Sequence, residues 1–146
     1  AGISDNVLAF LNAAHQVIVI ACDEPSSITD AYALIKVMSQ RYGATRFHFL
    51  ASMVKNEKEG RALYTKIERV VDHYLDATIL YLGTTAHDDQ LRIANKQQKA
   101  VVQAAPMAKS SRAYMQMAAI IERWEAPTGL SGQVEFFVDR LLQHKA

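Results

Sequence analysis

Cysteine is almost missing from this chain: Cys22 stands alone, and a single cysteine cannot close an internal disulfide. Nothing resembling a signal peptide is present either, because no positively charged start leads into an apolar stretch. The chain therefore reads as cytosolic. No uninterrupted apolar run approaches the roughly 18 to 20 residues that span a bilayer, which excludes a membrane crossing. An excess of one charge is also lacking, with 16 basic against 15 acidic residues and a formal net charge of +1. No net field is left to hold a polyanion, so nucleic acid is not an expected partner. There is no initiating methionine, and Ala1-Gly2-Ile3-Ser4 opens on what reads as a loop, which suggests a piece of a longer chain or a processed product.

Several chemistries are missing as well. A self-sufficient phosphate site needs a Gly-rich turn feeding a helix, so that backbone N–H groups and a lysine cradle phosphates. Neither G-x-x-x-x-G-K-[ST] nor G-x-G-x-x-G occurs. The nucleophile string G-x-S-x-G is absent, and Cys22 ends an apolar run where a free cysteine is a small inert hydrophobe. His15, His48, His73, His87 and His144 show no zinc-like spacing with Cys22 or with carboxylates. No catalytic residue and no metal site are expected.

What is present is a chain of 146 residues, half of them hydrophobic, enough for one domain with a core. Ser4 can cap a helix with Val7, Leu8 and Leu11 on its apolar side, ending near Ala14. Gln16 to Cys22 is a continuous β-branched run that reads as a strand buried on both faces. From Ser27 to Tyr42 apolar residues recur at helical spacing, and Gly43 is placed as a stop. Phe47 to Val54 reads as a second strand and Glu57 to Leu75 as a second long helix, with Leu63, Ile67, Val70, Val71 and Tyr74 on one side. Ala77 to Gly83 reads as a third strand. Asp88 to Gln97 is a short polar helix, Val101 to Ala104 a short extension, and Ser110 to Trp124 a helix with Ala113, Met117, Ile120, Ile121 and Trp124 facing inward.

This order argues for an α/β fold with a mostly parallel sheet flanked by helices, and ligands in such sheets bind at the C-terminal ends of the strands. Three strands are fewer than the usual five or six, so further strands are expected from upstream. Residues 1–124 form the main unit. Pro127, Gly129, Ser131 and Gly132 mark 125–132 as a linker, followed by a helix over 133–146. His87-Asp88-Asp89, after the third strand, is either a polar site or plain complementation of a helix dipole.

Several strings resemble one family. Ala1-Gly2-Ile3-Ser4 is similar to the tail of the second switch motif, D-T-x-A-G-I-S, of MinD/ParA-like ATPases. Cys22 to Lys36, reading C-D-E-P-S-S-I-T-D-A-Y-A-L-I-K, resembles the signature of their FleN/FlhG-type flagellar number regulators. Arg46-Phe47-His48, Met53-Val54, Glu59-Gly60-Arg61, Phe136-Phe137-Val138 and Leu141 extend the match along the whole chain. The resemblance implies the C-terminal half of a MinD-like (SIMIBI) P-loop NTPase fold. It also implies a switch protein that dimerises on ATP, restrains a flagellar transcription activator, works with an SRP-type flagellar GTPase and associates with the inner membrane or cell pole through its tail. ATP and Mg would be its cofactors, bound only together with the missing N-terminal half.

Carried over residue by residue, the resemblance puts Ala1 and Gly2 beside the γ-phosphate. The phosphate loop, the first switch carboxylate and the aspartate before Ala1 lie upstream, so this chain alone should not hydrolyse ATP. On the base side the expected contacts are Ser52, Ala86, His87 and Asp88. Ser52 stands where the family has an asparagine able to donate and accept against adenine, and Ala86 replaces the proline of a P-x-D string. Both changes imply weakened or relaxed base recognition, unless these are ordinary strand-end residues.

On a helical wheel Val134, Phe137, Val138, Leu141 and Leu142 fall within an arc of about 140°. Glu135 and Asp139 against Arg140 and Lys145 cancel in charge, whereas strong interfacial helices carry excess Lys or Arg. Membrane contact and docking onto protein both remain open for this segment. Two functions follow: half of a nucleotide switch in flagellar regulation, or a stand-alone module that binds a partner protein or membrane without nucleotide.

Overall fold

The computed structural model describes residues 3–124; Ala1, Gly2, the expected linker and the expected tail helix lie outside them. The chain order is α1 (Asp5–Asn12), β1 (Ile18–Ala21), α2 (Pro25–Tyr42), β2 (Arg46–Val54), α3 (Glu57–Tyr74), β3 (Thr78–Ala86), α4 (Asp89–Lys96), α5 (Val101–Ala104) and α6 (Lys109–Ile121). The strands form a sheet in the order β1-β2-β3, and both pairings are parallel. This is the α/β arrangement expected, with the third strand running three residues further than its apolar run suggested.

Local chemistry accounts for the ends of the helices. Pro25 opens α2, where its missing N–H costs nothing. Gly43 closes it at φ 68°, a left-handed position, and donates its N–H to Ser39 O at 3.1 Å while Ala44 donates to Met38 O at 3.1 Å. At α3 the Asn56 side chain accepts from the Glu59 N–H at 3.0 Å, and the Glu59 carboxylate reaches back to the Lys55 N–H. This resembles a capping box, with the return bond made to the residue before the N-cap.

The two faces of the sheet are covered differently. On one face Phe47, Phe49 and Ala51 of β2 and Val19 and Ala21 of β1 pack with Leu8, Ile35, Met38, Leu63, Ile67 and Val71 of the first three helices in one continuous cluster. Phe47 and Phe49 are fully buried, and each contributes about 1.5 to 3 kcal/mol relative to exposure. On the other face a small cluster of Leu50, Leu82 and Met117 joins α6 to β2 and β3, with Ala113, Tyr114 and Trp124 around it.

Three expectations need correction. The run from Gln16 to Cys22 is not buried on both faces, because Ile18 is 38% and Ile20 59% exposed. α6 covers β2 and β3, and no described element covers the second face of β1. Val70 and Tyr74 of α3 are exposed, since the buried line runs through Gly60, Leu63, Ile67 and Val71. Ile120 and Ile121 of α6 are exposed too; the inward positions are Ser110, Ser111 and Met117. In both helices the helix sits on the sheet along a narrow stripe, and apolar residues beside that stripe reach past the strands.

Candidate functional site

Two irregularities shape the C-terminal end of the sheet. Phe49 pairs with Tyr81 and Leu50 with Gly83, so Leu82 is an extra residue that bulges β3. Ala51 pairs with Thr84 and Val54 with Ala86, so Ser52 and Met53 together oppose Thr85, and β2 bulges in turn. Bulges re-aim side chains and raise local twist. Met53 takes the strain of the second one, at φ 57° with its side chain 66% exposed, an uncommon backbone state for a residue other than glycine, asparagine or aspartate. Gly83 makes the first one fit beneath α6: an added Cβ would lie 3.1 Å from Met117 Cγ and 3.2 Å from its sulfur.

The expected base-side residues lie at this end of the sheet, each with its own partner. Thr85, 2% exposed, donates its hydroxyl to Ser52 Oγ at 3.2 Å. Because Ser52 Oγ accepts there, its own proton remains to donate. The His87 N–H donates to Val54 O at 3.0 Å and prolongs the β2–β3 pairing by one residue, leaving Ala86 half-buried and the His87 side chain exposed. Ala1 and Gly2 lie outside the described residues.

Asp88 is a clamp. One carboxylate oxygen caps α4 by accepting from the Gln90 N–H at 2.9 Å, and the other accepts from the N–H and the hydroxyl of Ser110 at 2.9 and 2.8 Å. These Ser110 bonds, with smaller help from Gln90 and Lys109, hold the carboxyl below its ordinary range. Ser110 is fully buried at the start of α6, so a single side chain ties the end of β3 to the first turns of two helices. Of the two readings open for His87-Asp88-Asp89, helix capping accounts for both oxygens of Asp88.

The neighbouring strand ends are tied in the same way. The Cys22 N–H donates to Ser27 Oγ at 3.1 Å, and Lys66 of α3 meets Asp23 at 3.0 Å. Gly60 lets α3 approach β3, since a Cβ on it would stand 2.0 Å from Thr84 Oγ1. Thr84 also bonds the Tyr81 hydroxyl, which donates to Glu57 at 3.0 Å, while the Arg61 guanidinium lies 4.6 Å from the Tyr81 ring centre. The Glu59-Gly60-Arg61 string thus closes a helix start against a strand end. At the far end of β2, His48 stacks on Trp124 with ring centres 3.9 Å apart and bonds Gln16 Oε1 at 3.0 Å. Burial, and to a lesser degree Arg46, lowers the His48 pKa.

Sequence reasoning pointed to Ser52, Ala86, His87 and Asp88 but missed Thr85, Met53, Ser110 and Gly60 as the residues that fix them. An Asp two positions before Gln90 at a helix start is a capping signal that could have assigned Asp88. The Ser110 contact spans 22 residues and left no local signal.

No protein-family model matches the chain. It is 44% identical over all 146 residues to Antiactivator FleN of Pseudomonas aeruginosa, covering 52% of that protein. It is 34% identical over 122 residues to the Flagellum site-determining protein YlxH of Helicobacter pylori, covering 41% of that one. The chain therefore spans about half the length, or less, of the curated relatives it matches.

Proposed function

Because the chain belongs to the FleN/FlhG-type regulators and corresponds to their C-terminal part, we propose that it forms the base side of a nucleotide-dependent switch that limits flagellar number by restraining a flagellar transcription activator. One observation supports the reading: Ser52, Ala86, His87 and Asp88 lie at or just beyond the C-terminal ends of two adjacent parallel strands, where open α/β sheets bind ligands, with Ser52 bonded to Thr85 and His87 to Val54. The names of the two relatives, an antiactivator and a flagellum site-determining protein, support the regulatory role.

In this reading ATP would bind with its base at this end of the sheet. Ser52 would offer one donor to a base edge, and the Ala86 methyl would pack beside it. Asp88 holds the loop between them and has no oxygen to spare. A γ-phosphate, when bound, would supply the charge that distinguishes the two states of the switch, with Ala1 and Gly2 beside it. Phosphate and Mg binding would rest on groups outside this chain, which carries no phosphate-loop string. Dimerisation on ATP, an SRP-type GTPase partner and inner-membrane contact through Val134, Phe137, Val138, Leu141 and Leu142 belong to the same proposal. No helix among the described residues is long and apolar enough to cross a membrane.

The test is a chimera in which this chain replaces the matching C-terminal part of the Pseudomonas aeruginosa protein, expressed in cells lacking that protein. Flagella per cell, counted by electron microscopy, should return to the parental number. A chimera present at normal levels that leaves the count unchanged overturns the reading. For the tail, the chain should co-sediment with lipid vesicles almost independently of salt, since the apolar face and not net charge would drive it. Equal pelleting of Phe137→Glu/Leu141→Glu would assign that face to a protein surface instead.

A further inference from the structure

The near-zero net charge of the whole chain conceals an uneven distribution. Between Gln90 and Ile121 the sequence carries Arg92, Lys96, Lys99, Lys109 and Arg112 and no aspartate or glutamate, so this stretch holds +5 in a chain of formal net charge +1. It makes up the layer of α4, α5 and α6 apart from Asp89, the first residue of α4, and all five cations are exposed. Among the described residues Arg92 alone of the five has an ion-pair partner, Asp89 at 3.4 Å. Lys109 lies close enough to Asp88 to influence it, but that carboxylate is already occupied by Ser110 and Gln90.

Arg92 pairs with Asp89 and Lys96 suits the last turn of α4, but the cations at the start of α6 go against the local rule. Lys109 and Arg112 stand in the first turn of α6, which contains no acidic residue, and a helix dipole disfavours cations there. Residues that oppose a local rule without a structural return are where function is expected. Between the cations, Ile93 is 43%, Met115 64% and Met107 76% exposed. The single aromatic residue of the layer, Tyr114, is turned into the small cluster beneath α6.

That composition discriminates among polyanions. Single-stranded nucleic acid is held by cations together with exposed rings on which bases stack, and this layer exposes none. Helices that lie in a bilayer surface use Trp, Phe or Leu beside their cations. Arginine and methionine are enriched where proteins meet proteins and lysine is depleted in the contact itself, so Met107, Met115 and Ile93 supply the contact while the lysines steer a partner of opposite sign.

We propose that the outer side of α4, α5 and α6 is a docking surface for a protein segment that is acidic and partly apolar. The proposal does not depend on nucleotide binding at the strand ends. It is tested with the full chain and a fluorescein-labelled peptide of alternating Glu and Leu, by anisotropy at low and high salt. Binding should weaken steeply with salt. Lys99→Glu/Arg112→Glu, which takes the stretch from +5 to +1, should weaken it by about tenfold or more, while Lys99→Arg/Arg112→Lys retains it. Arg112→Glu places an acid where the α6 dipole favours one, so the melting temperature should hold. If it drops, Lys96→Gln/Lys99→Gln should give the same direction of loss on a smaller scale. Lys36→Glu/Arg41→Glu on α2 is the control and should leave binding unchanged. An equal loss in the control, no binding by the unmodified chain, or tighter binding of oligo(dT) or phosphatidylglycerol vesicles through the same residues would each overturn the proposal.

Discussion

The two faces of the β-sheet are built on different principles. One is a continuous apolar interior in which three helices bury two phenylalanines and a row of aliphatic side chains. The other is a thin layer in which a cluster of three buried apolar residues, with Ala94 and Val101 buried apart from it, is joined by polar fastenings from Asp88 to Ser110, Ser111 to the Ala105 carbonyl and His48 to Gln16, and by the stack of His48 on Trp124. Apolar burial is non-directional and tolerates small displacements, whereas hydrogen bonds fix a particular geometry. The first face carries the stability. The second positions the strand ends.

The largest effect should come from the first face. Phe49→Ala removes a fully buried ring and should cost about 3 to 5 kcal/mol in urea unfolding. Met117→Ala, from the thin layer, should cost clearly less. Equal losses would mean that the second face is as thick as the first.

Next is the close approach of α3 to β3. Gly60→Ala puts a Cβ 2.0 Å from Thr84 Oγ1 and should destabilise by about 1 to 3 kcal/mol. Gly60→Ala/Thr84→Ala should recover part of that loss in the same assay, and no recovery would mean that the helix is held off by something else.

Asp88→Asn sharpens the contrast through pH. The folded pKa of Asp88 is depressed by its Ser110 bonds, so its stabilisation is complete above the ordinary carboxylate range near pH 3.9 and is lost as pH falls through the lower folded value. Asparagine keeps the α4 cap, but its NH2 cannot accept from the buried Ser110 N–H, so neutral-pH stability should drop by roughly 1 to 3 kcal/mol. The variant should also show a flatter decline of melting temperature in acid than the wild type. Parallel acid profiles would show that the clamp does not depend on the charge.

The smallest effect is expected on the open side of β1. Ile20 is 59% exposed, so Ile20→Thr should change the unfolding free energy by no more than about 0.5 kcal/mol. A loss above about 1.5 kcal/mol, the scale of a buried aliphatic side chain, would reveal that this face is covered.

The sequence by itself determined the order of elements and the parallel sheet. Helical spacing, the Gly43 stop and the three apolar runs are local signals, and local signals survive without the rest of the chain. The string from Cys22 to Lys36 named the family for the same reason. Only the tertiary structure decided what each apolar residue faces. A β-branched run reads alike whether one or two faces are covered, so the exposure of Ile18 and Ile20 followed from where α6 lies. The grip of the site was equally non-local. Thr85 meets Ser52 because two bulges set the register between β2 and β3, and Ser110 meets Asp88 because α6 returns to the end of β3. Periodicity carries no information about contacts between residues 22 or 33 positions apart, since these are fixed by how whole elements pack and not by the residues beside them in the chain.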